Sequence, residues 1–332
     1  MAETVKWSYT TVNAFRQCNR KFYFSSILAT HGRKDPLRRK AYELKTMKSL
    51  PMWAGDVVDK FMEKTIIPLI IAKGELDFES LANQAVTMAE AQFRFSKNRL
   101  YTDPLLKKGE ATDFCILDIH EVNRLATPEQ IQQCYDYIRK GILNLPLMTL
   151  PEGAPLITFL KEADALTANL NKWSVTIEKA SLKPQIDLLA YSKWKPVVID
   201  WKLSASYSSD YSRQLIIAGI MIYLKRFETA GKKPYDYKDI RLLEVNLLRG
   251  VIKEHEFNEE TVHDMIDHIN LTSGDLFLLT KGNLDDGDIE DFEMTDEGSL
   301  CQACNFQPLC SFLLSNKNIY DEKLYTESLQ AH

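Results

Sequence analysis

Two apolar runs near the middle of the chain constrain its fold more than any other feature of the sequence. They are residues 185–192 (QIDLLAYS) and 196–202 (PVVIDWK), and only a short polar turn at Lys193–Lys195 separates them. Apolar runs of this length that are joined by so short a turn predict a β-hairpin. We therefore expect this pair to belong to the central sheet of the protein.

The segments around the hairpin extend this prediction to an α/β fold. Residues 173–179 alternate between apolar and polar side chains as a strand does. Further strand patterns cover 239–247 and 251–257, and helical patterns cover 8–28, 52–72, 77–145, 210–228 and 258–272. Residues 31–50 carry only scattered apolar side chains and predict a loop. We expect one domain over 1–332, with a mixed sheet flanked by helices and a helical insertion at 77–150.

The hairpin carries two aspartates and a lysine that are suited to metal-dependent chemistry. Asp187 lies on the first strand, and Asp200 and Lys202 lie at the end of the second. Because side chains at positions i and i+2 of a strand point to the same face, Asp200 and Lys202 project together, and the hairpin brings Asp187 alongside them. Carboxylate oxygens are the ligands that Mg²⁺ and Mn²⁺ prefer, and an adjacent lysine can orient or deprotonate a water molecule.

The Asp-x-Lys pattern also has an ordinary interpretation, because taken alone it is more often a surface ion pair at the end of a strand. Here the apolar run Val197–Ile199 leads directly into the charged pair. Ending a buried strand on polar groups that have no partner costs free energy, so the sequence favours a specific partner for them.

Two predicted helices supply further candidates. Asp56, Asp59 and Glu63 share one face of the second predicted helix, where a bound cation would relieve their mutual repulsion. The alternative is a solvated acidic stripe, but the apolar neighbours of Asp59 predict close packing, so we take it as a third metal ligand. Gln214 lies at the start of the apolar helix that follows the hairpin. It could bond to a nucleotide or to the lysine, or it could simply be a polar residue at the start of a helix.

Four cysteines lie near the two ends of the chain. Cys18 is on the first predicted helix, and Cys301, Cys304 and Cys310 form a C-x2-C-x5-C group within residues 298–315. In a reducing cytosol, clustered cysteines more often hold metal than form disulfides. We expect this group to close onto the first helix through an iron–sulfur cluster or, alternatively, a zinc ion.

Composition and charge limit the class of protein. The 332 residues are 45% hydrophobic and 26% charged, as in an ordinary globular protein. No apolar run approaches the length of a membrane span, and the opening MAETVKWSYT lacks the pattern of an export signal, so we expect a cytoplasmic protein without a membrane partner.

The charge is unevenly distributed along the chain. The net charge of −5 argues against bulk electrostatic binding to nucleic acid, but residues 1–50 carry eleven Lys or Arg against three Asp or Glu. The basic segment at 33–48, densest at Arg33, Lys34 and 38–40, would suit a phosphate backbone. The alternative interpretation is a solvated loop whose charges serve solubility.

Taken in order, the motifs resemble those of the PD-(D/E)xK nuclease superfamily, and more narrowly its RecB-type branch with an iron–sulfur cluster. That branch includes CRISPR-associated RecB-like exonucleases and the nuclease domain of AddB. The resemblance lies in S-Y-T-T-V-N-A-F-R-Q-C-N-R-K-F-Y-F at 8–24, G-D-V-V-D at 55–59, Q-I-D-L-L at 185–189, V-V-I-D-W-K at 197–202, Gln214 and C-x2-C-x5-C at 301–310. It covers nearly the whole chain and implies a restriction-endonuclease-like fold.

The resemblance also implies roles for individual residues. Asp187 and Asp200 would hold Mg²⁺ or Mn²⁺, Lys202 would be the catalytic lysine, and Gln214 would match the glutamine that follows the site. A structural [4Fe–4S] cluster would be ligated by Cys18, Cys301, Cys304 and Cys310.

The chain departs from the family pattern at two positions. Asp59 stands where the family usually has a histidine, and Ala218 stands where it often has a tyrosine. An aspartate can still bind Mg²⁺ or Mn²⁺, but the exchange bears on metal preference and on activity.

The resulting expectation is a metal-dependent DNA nuclease, most simply an exonuclease that acts on single strands or DNA ends. No G-x4-G-K-[ST] loop is present, so any unwinding would come from a partner helicase in recombination or defence. Two alternatives stay open: a catalytically weak or inactive DNA-binding or assembly subunit that keeps the nuclease fold, and a zinc-stabilised hydrolase of a non-nucleic phosphodiester.

Overall fold

A computed structural model describes residues 4–30, 34–103, 106, 111–206, 211–280 and 287–330 of the chain. The chain divides into two compact units, each assembled from separate stretches of sequence. The first unit comprises Met1–Leu50, Ala91–Thr127 and Thr272–His332, and the second comprises Pro51–Glu90 and Pro128–Leu271. The predicted hairpin lies in the second unit.

Helices and short strands are distributed as follows. The described strands are β1 (Val5–Trp7), β2 (Ala165–Leu170), β3 (Val175–Ile177), β4 (Ala180–Leu182), β5 (Ile186–Ser192), β6 (Lys195–Lys202), β7 (Arg241–Asn246) and β8 (Val251–His255). The described helices are α1 (Tyr9–Gln17), α2 (Asn19–Phe22), α3 (Pro36–Thr46), α4 (Leu50–Phe61), α5 (Ile67–Ile71), α6 (Phe78–Lys97), α7 (Asp118–Glu121), α8 (Pro128–Asn144), α9 (Leu156–Glu162), α10 (Ser212–Glu228), α11 (Glu259–Thr280), α12 (Gly298–Gln302), α13 (Gln307–Ser315) and α14 (Glu322–Gln330). Two π-helical turns, Tyr23–Leu28 and Met62–Ile66, follow α2 and α4.

A five-stranded mixed sheet forms the centre of the second unit and confirms the predicted α/β class. Its strand order is β2-β5-β6-β7-β8, and every neighbouring pair is antiparallel except β6 and β7, which are parallel. A parallel pair needs a long crossover connection, usually a helix, and α10 lies in that connection here. The sequence signal for each strand is an apolar run, and the central strands β5, β6 and β7 are largely buried.

The hairpin between β5 and β6 closes with a two-residue turn. Lys193 and Trp194 both have positive φ angles, of 51° and 62°, which is the conformation of a type I′ turn. The backbone N–H of Trp194 donates to the carboxylate of Asp164 at 2.8 Å and helps to hold this conformation. The tight turn fixes the register, with Leu188 opposite Ile199.

Helix α10 packs closely within the second unit because one of its residues has no side chain. Residues 215–222 of the helix are all buried. A Cβ atom placed on Gly219 would come within 2.7 Å of the ring of Phe257, which follows β8. The glycine therefore permits the close approach of Phe257 to the helix.

The first predicted helix, at residues 8–28, is interrupted at Cys18. The backbone of Cys18 is extended (φ −167°, ψ 120°), so α1 ends before it and α2 begins after it. Its N–H still bonds to the carbonyl of Ala14 at 3.0 Å. The prediction of one continuous helix was wrong at this residue, whose thiol consequently projects from a break between helices.

The predicted loop at 31–50 was wrong where α3 forms. The side chain of Asp35 accepts a hydrogen bond from the backbone N–H of Arg38 at 2.9 Å and so caps the helix, and Pro36 occupies its first position. An Asp-Pro pair of this kind is a known helix-start signal. Residues 31–33 of the predicted loop lie outside the described residues.

The stretch predicted as largely helical from 77 to 145 contains α6 and α8 but also non-helical chain between them. Apart from α7, residues 111–127 have little helix. Over the described part of the chain, no helix is both long and apolar enough to cross a membrane.

In the first unit, the chain after α11 packs against the N-terminal helices. Arg20 donates from its backbone N–H to Glu293 O at 3.1 Å and from Nε to Phe292 O at 3.2 Å. The ring of Phe292 lies 5.0 Å from that of Tyr23, and Phe24 stacks on Phe306 at 5.5 Å. These contacts position residues 287–315 beside α2.

Candidate active site

The register of the hairpin brings Asp187 and Asp200 together. Leu188 is opposite Ile199, and one further step of the same antiparallel register places Asp187 opposite Asp200. The Oδ2 atom of Asp187 accepts a hydrogen bond from the backbone N–H of Trp201 at 3.0 Å. Asp187 is half-buried and Asp200 is buried.

Lys202 extends from the same face of β6 and forms an ion pair with Asp200. Its Nζ atom lies 2.5 Å from Asp200 Oδ2 and 4.4 Å from the centre of the Tyr211 ring. Burial by itself would lower the pKa of Lys202, but the negative charges of Asp200 and Asp187 outweigh it and raise the pKa. The side chain is therefore an ammonium cation at neutral pH.

Gln214, in the first turn of α10, contacts the site through Asp200. Its Nε2 atom donates to Asp200 Oδ1 at 3.2 Å. The sequence left open a bond to a nucleotide, a bond to the lysine, or no specific role, and the structure instead gives a bond to the aspartate. The helix thereby fixes the orientation of the Asp200 carboxylate.

Asp59, on α4, belongs to the same electrostatic cluster. Its side chain is exposed to solvent, and neighbouring protein atoms also crowd its carboxylate. This crowding and the charges of Asp187 and Asp200 raise the pKa of Asp59 above its usual value. The two acidic neighbours that the sequence grouped with it are paired locally: Asp56 with Lys60 at 3.0 Å, and Glu63 with the adjacent Lys64 at 2.8 Å.

The carboxylates of the cluster destabilise one another's charged forms. Burial and the charge of Asp200 raise the pKa of Asp187 to about 7. Burial raises the pKa of Asp200 despite its ion pair with Lys202, and the charge of Glu244 contributes in the same direction. Carboxylates that repel one another in this way favour a cation between them.

The side chains of the carboxylate cluster are chemically suited to bind a divalent cation. Asp59, Asp187 and Asp200 supply oxygen ligands, which Mg²⁺ and Mn²⁺ prefer. Apart from its ion pair, the buried Oδ2 atom of Asp200 has no hydrogen-bond partner among the described residues. The described side chains nonetheless contain no group of three or more His, Cys, Asp or Glu that is already arranged to hold a metal ion.

Three residues near the site were missed by the sequence analysis. Glu244 pairs with Asp200 across the parallel strands β6 and β7, and the Nε2 atom of the buried His255 lies 2.9 Å from Glu244 Oε2. Tyr211 lies under the Lys202 ammonium. Glu244 interrupts the apolar run in the middle of β7, RLLEVN, and this interruption was a signal that could have identified it.

In the first unit, the four predicted cysteines line one cavity of about 170 Å³. Cys301 lies on α12 and Cys310 on α13, and a turn between them carries Cys304, whose N–H donates to Cys301 O at 3.1 Å. Cys18 enters from the break between α1 and α2. The structure therefore brings these four side chains to one place.

Two thiols of this cavity, those of Cys304 and Cys310, hold their protons more tightly than an ordinary cysteine. Burial raises the pKa of Cys310 to about 11, although Arg20 opposes it. Burial also raises the pKa of Cys304, and neighbouring thiol groups, including Cys18, act in the same direction. Binding of a metal would have to displace these protons, because the thiolate is the ligand.

Part of the basic segment at 33–48 is already neutralised within the first unit. Lys40 Nζ lies 2.5 Å from Glu43 Oε2 and 2.7 Å from Glu121 Oε1, and Arg39 pairs with Glu322 at 2.8 Å. Arg33 lies outside the described residues. The charge available to a phosphate backbone is therefore smaller than the sequence count indicates.

A mixed sheet that presents two aspartates and a lysine from adjacent strands defines the class of restriction-endonuclease-like nucleases. In agreement, the family model of the PD-(D/E)XK nuclease superfamily matches residues 6–311, and the chain belongs to this superfamily. Nucleases of this superfamily usually use divalent cations such as Mg²⁺ or Mn²⁺. No curated protein matches the chain.

Proposed function

We propose that this protein is a metal-dependent DNA nuclease whose site is built by Asp187, Asp200 and Lys202. The observation that carries the proposal is the placement of these three side chains together on the central sheet of a chain in a nuclease superfamily. Asp59 is the third carboxylate of the site, and its mutual electrostatic interaction with Asp187 and Asp200 supports it as a further ligand for Mg²⁺ or Mn²⁺.

The residues of the chain have distinct roles in this proposal. A bound divalent cation would polarise the scissile phosphate and lower the pKa of the attacking water. Lys202 keeps its proton and offsets the negative charge that develops on the phosphate. Gln214 holds Asp200 in the orientation that its ligand role requires.

The finer features of the proposal come from the resemblance to the RecB-type branch. The substrate is single-stranded DNA or a DNA end, cut as an exonuclease, and a helicase of recombination or defence supplies unwinding. A [4Fe–4S] cluster held by Cys18, Cys301, Cys304 and Cys310 stabilises the first unit, with zinc as the alternative occupant. The shared cavity of these four thiols supports a metal centre there, and the protein is expected in the cytoplasm.

A cleavage assay tests the proposed activity. Wild type, Asp200→Ala and Lys202→Ala are incubated with Mn²⁺ and single-stranded DNA labelled at one end, and Asp264→Ala serves as a matched control because the exposed Asp264 lies on α11, outside the carboxylate cluster. We expect cleavage by the wild type and the control, and none by the two site variants. Single-stranded RNA in parallel reactions distinguishes the two nucleic acids.

One specific observation favours a second candidate, an inactive DNA-binding or assembly subunit. Asp59 and Ala218 replace the histidine and tyrosine that the family often has. Failure of the wild type to cleave, or equal cleavage by wild type and Lys202→Ala, would favour this candidate over the nuclease.

The metal of the cysteine cavity is tested by spectroscopy. Anaerobically purified protein with an iron–sulfur cluster absorbs visible light, whereas a zinc protein is colourless. We expect visible absorbance in the wild type and in Cys134→Ala, whose thiol lies outside the cavity, and its loss in Cys304→Ala. A colourless wild-type protein that contains stoichiometric zinc would overturn the cluster assignment.

A further inference from the structure

A cavity in the second unit has no part in the proposed chemistry. Its volume is about 240 Å³, below the 300–1,000 Å³ range typical of sites for drug-sized ligands. Three aromatic side chains and two cations contribute to its lining: Trp173, Tyr191, Lys225, Arg226 and Tyr235. None of the described residues that line it is acidic. This composition suits a planar ring that carries an anion.

The cavity and the carboxylate cluster are connected by the same two elements. Tyr191 lies four residues after Asp187 on β5, so both side chains project from the same face of the sheet. On α10, Gln214 contacts Asp200 in the first turn, and Arg226 lines the cavity near the other end. Twelve residues of helix separate these two positions, which corresponds to about 18 Å.

Arg226 is held rigidly with part of its guanidinium available. Its Nε atom donates to Lys233 O at 2.8 Å, and the guanidinium lies 4.6 Å from the centre of the Tyr235 ring. Within the described chain no hydrogen bond involves its two terminal nitrogens. A guanidinium that is oriented in advance and has free N–H groups is well suited to a phosphate oxygen.

The second cation and the phenols complete the lining. Lys225 Nζ lies 2.5 Å from Glu228 Oε2, but Glu228 is 55% exposed, so this surface pair exchanges readily for a ligand anion. Tyr191 and Tyr235 both line the cavity, and burial raises the pKa of Tyr191 above its usual value. Aromatic rings of this kind stack with nucleobases without a strong preference for one base.

We propose that this cavity is a nucleotide subsite that takes one base and its phosphate from a single-stranded nucleic acid. Trp173 and Tyr191 supply the ring surfaces, and Arg226 and Lys225 supply the phosphate contacts. The strand would continue along α10 towards Asp187 and Asp200, and this part of the inference rests on the proposed nuclease function.

Binding measurements test the subsite separately from catalysis. All proteins carry Asp200→Asn so that the strand is not cut, and fluorescence anisotropy reports the Kd for a labelled oligothymidylate. Because loss of one base–aromatic stack costs about 1–3 kcal/mol, we expect Trp173→Leu to raise the Kd about tenfold. Arg226→Gln should also raise the Kd and reduce the salt slope by about 0.7, as expected for one lost phosphate contact on a single strand.

Two matched controls isolate the cavity. Trp194→Leu removes an exposed tryptophan at the tip of the β5–β6 hairpin, and Lys232→Gln removes an exposed cation near Arg226. Neither residue lines the cavity. We expect both controls to keep the Kd of the parent protein, and thermal melting of every variant excludes global unfolding as the cause of a change.

The outcomes separate this inference from the proposed function. Weaker binding by the two cavity variants, with wild type that cleaves nothing, would retain the subsite and overturn the nuclease. Cleavage by wild type with an unchanged Kd in the cavity variants would do the reverse. Binding of free thymidine monophosphate that Arg226→Gln abolishes, with unchanged oligothymidylate binding, would mean that the cavity takes free nucleotides and would overturn the proposed strand contact.

Discussion

At the residue scale, the carboxylates of the candidate site work against the stability of the metal-free protein. The pKa of Asp187 rises to about 7 through burial and the charge of Asp200, and the pKa of Asp59 rises with it. Ionised side chains that repel one another in the folded state are separated by unfolding. The ionised carboxylates of the site therefore lower the free energy of unfolding until a bound cation neutralises their charge.

The pH dependence of this cost has a definite sign. Because the pKa of Asp187 is about 7 when folded and 3.8 ordinarily, the folded protein binds the proton more tightly than the unfolded chain. The stabilisation of the fold by this proton is complete below the ordinary pKa of 3.8 and is lost as the pH rises towards 7. We expect Asp187→Asn in EDTA to raise the melting temperature at about pH 8 and to have little effect near pH 4.

Controls separate this effect from a general consequence of replacing aspartate. The amide oxygen of the asparagine in Asp187→Asn can still accept the hydrogen bond from Trp201, so packing is conserved. Asp164→Asn, which changes an aspartate outside the cluster, should lack the pH-dependent gain. Added Mg²⁺ should stabilise wild type more than Asp187→Asn. A lower melting temperature for Asp187→Asn than for wild type at about pH 8 in EDTA would contradict the electrostatic argument.

Gln214 gives a second prediction at this scale. Its amide holds Asp200 at 3.2 Å without belonging to the proposed ligand set. Loss of such an outer partner typically costs about 10- to 100-fold in metal affinity or activity. We expect Gln214→Ala to remain folded and to need more Mn²⁺ for half-maximal cleavage. An unchanged metal dependence would show that Asp200 is oriented by other contacts.

At the element scale, the parts of the fold that depend on neighbouring residues were predictable. The β5–β6 hairpin needs only two apolar runs and a short turn, and both are visible in the sequence. The predicted turn at Lys193–Lys195 was one residue too long, because Lys195 pairs with Ser192 as the first residue of β6. The parallel pairing of β6 with β7 depends on a long crossover, so no local pattern specifies it. The interrupted apolar run marked Glu244 as unusual, but only this pairing brings it beside Asp200, so its place at the site was not predictable.

The errors in the predicted helices have two different causes. Asp35 and Pro36 were a local start signal for α3, and the sequence analysis overlooked it. The break at Cys18 has no such signal, because no side chain caps α2. Contacts of the following residues, such as Arg20 with Phe292, favour the broken conformation and come from distant sequence.

Gly219 in α10 tests how tightly this helix packs. Alanine has the higher helix propensity, but its Cβ would lie 2.7 Å from a ring carbon of Phe257. We expect Gly219→Ala to lower the free energy of unfolding by about 1–3 kcal/mol, as overpacked core positions do. Urea denaturation measures the change.

Gly274 in α11 is the matched control for this substitution. A Cβ atom there meets no atom within 4 Å. Gly274→Ala should therefore raise the free energy of unfolding by about 0.5–1 kcal/mol, the ordinary gain in helix propensity. Changes of the same sign in both variants would mean that the contact with Phe257 does not limit α10.

At the scale of the whole molecule, the two candidate centres could be predicted to different extents. Asp187, Asp200 and Lys202 lie on adjoining strands, so the hairpin alone predicted that they meet. Cys18 and the three later cysteines are brought together only by tertiary packing at the two ends of the chain. Their spacing indicated that they share one metal centre. It carried no information on the break in the helix from which Cys18 projects.

This difference predicts that the two centres fail in different ways. A metal that joins Cys18 to the segment containing Cys304 cross-links distant parts of the chain, and its binding free energy contributes to folding. We expect Cys304→Ala to lose the metal of the cysteine cavity and to melt at a lower temperature. We expect Asp200→Ala to keep the metal of the cysteine cavity and to lose cleavage. Absorbance, metal analysis and thermal melting, with Cys134→Ala as the control, distinguish these outcomes. Equal melting temperatures for Cys304→Ala and Cys134→Ala would show that the cysteine cavity makes no structural contribution through a metal.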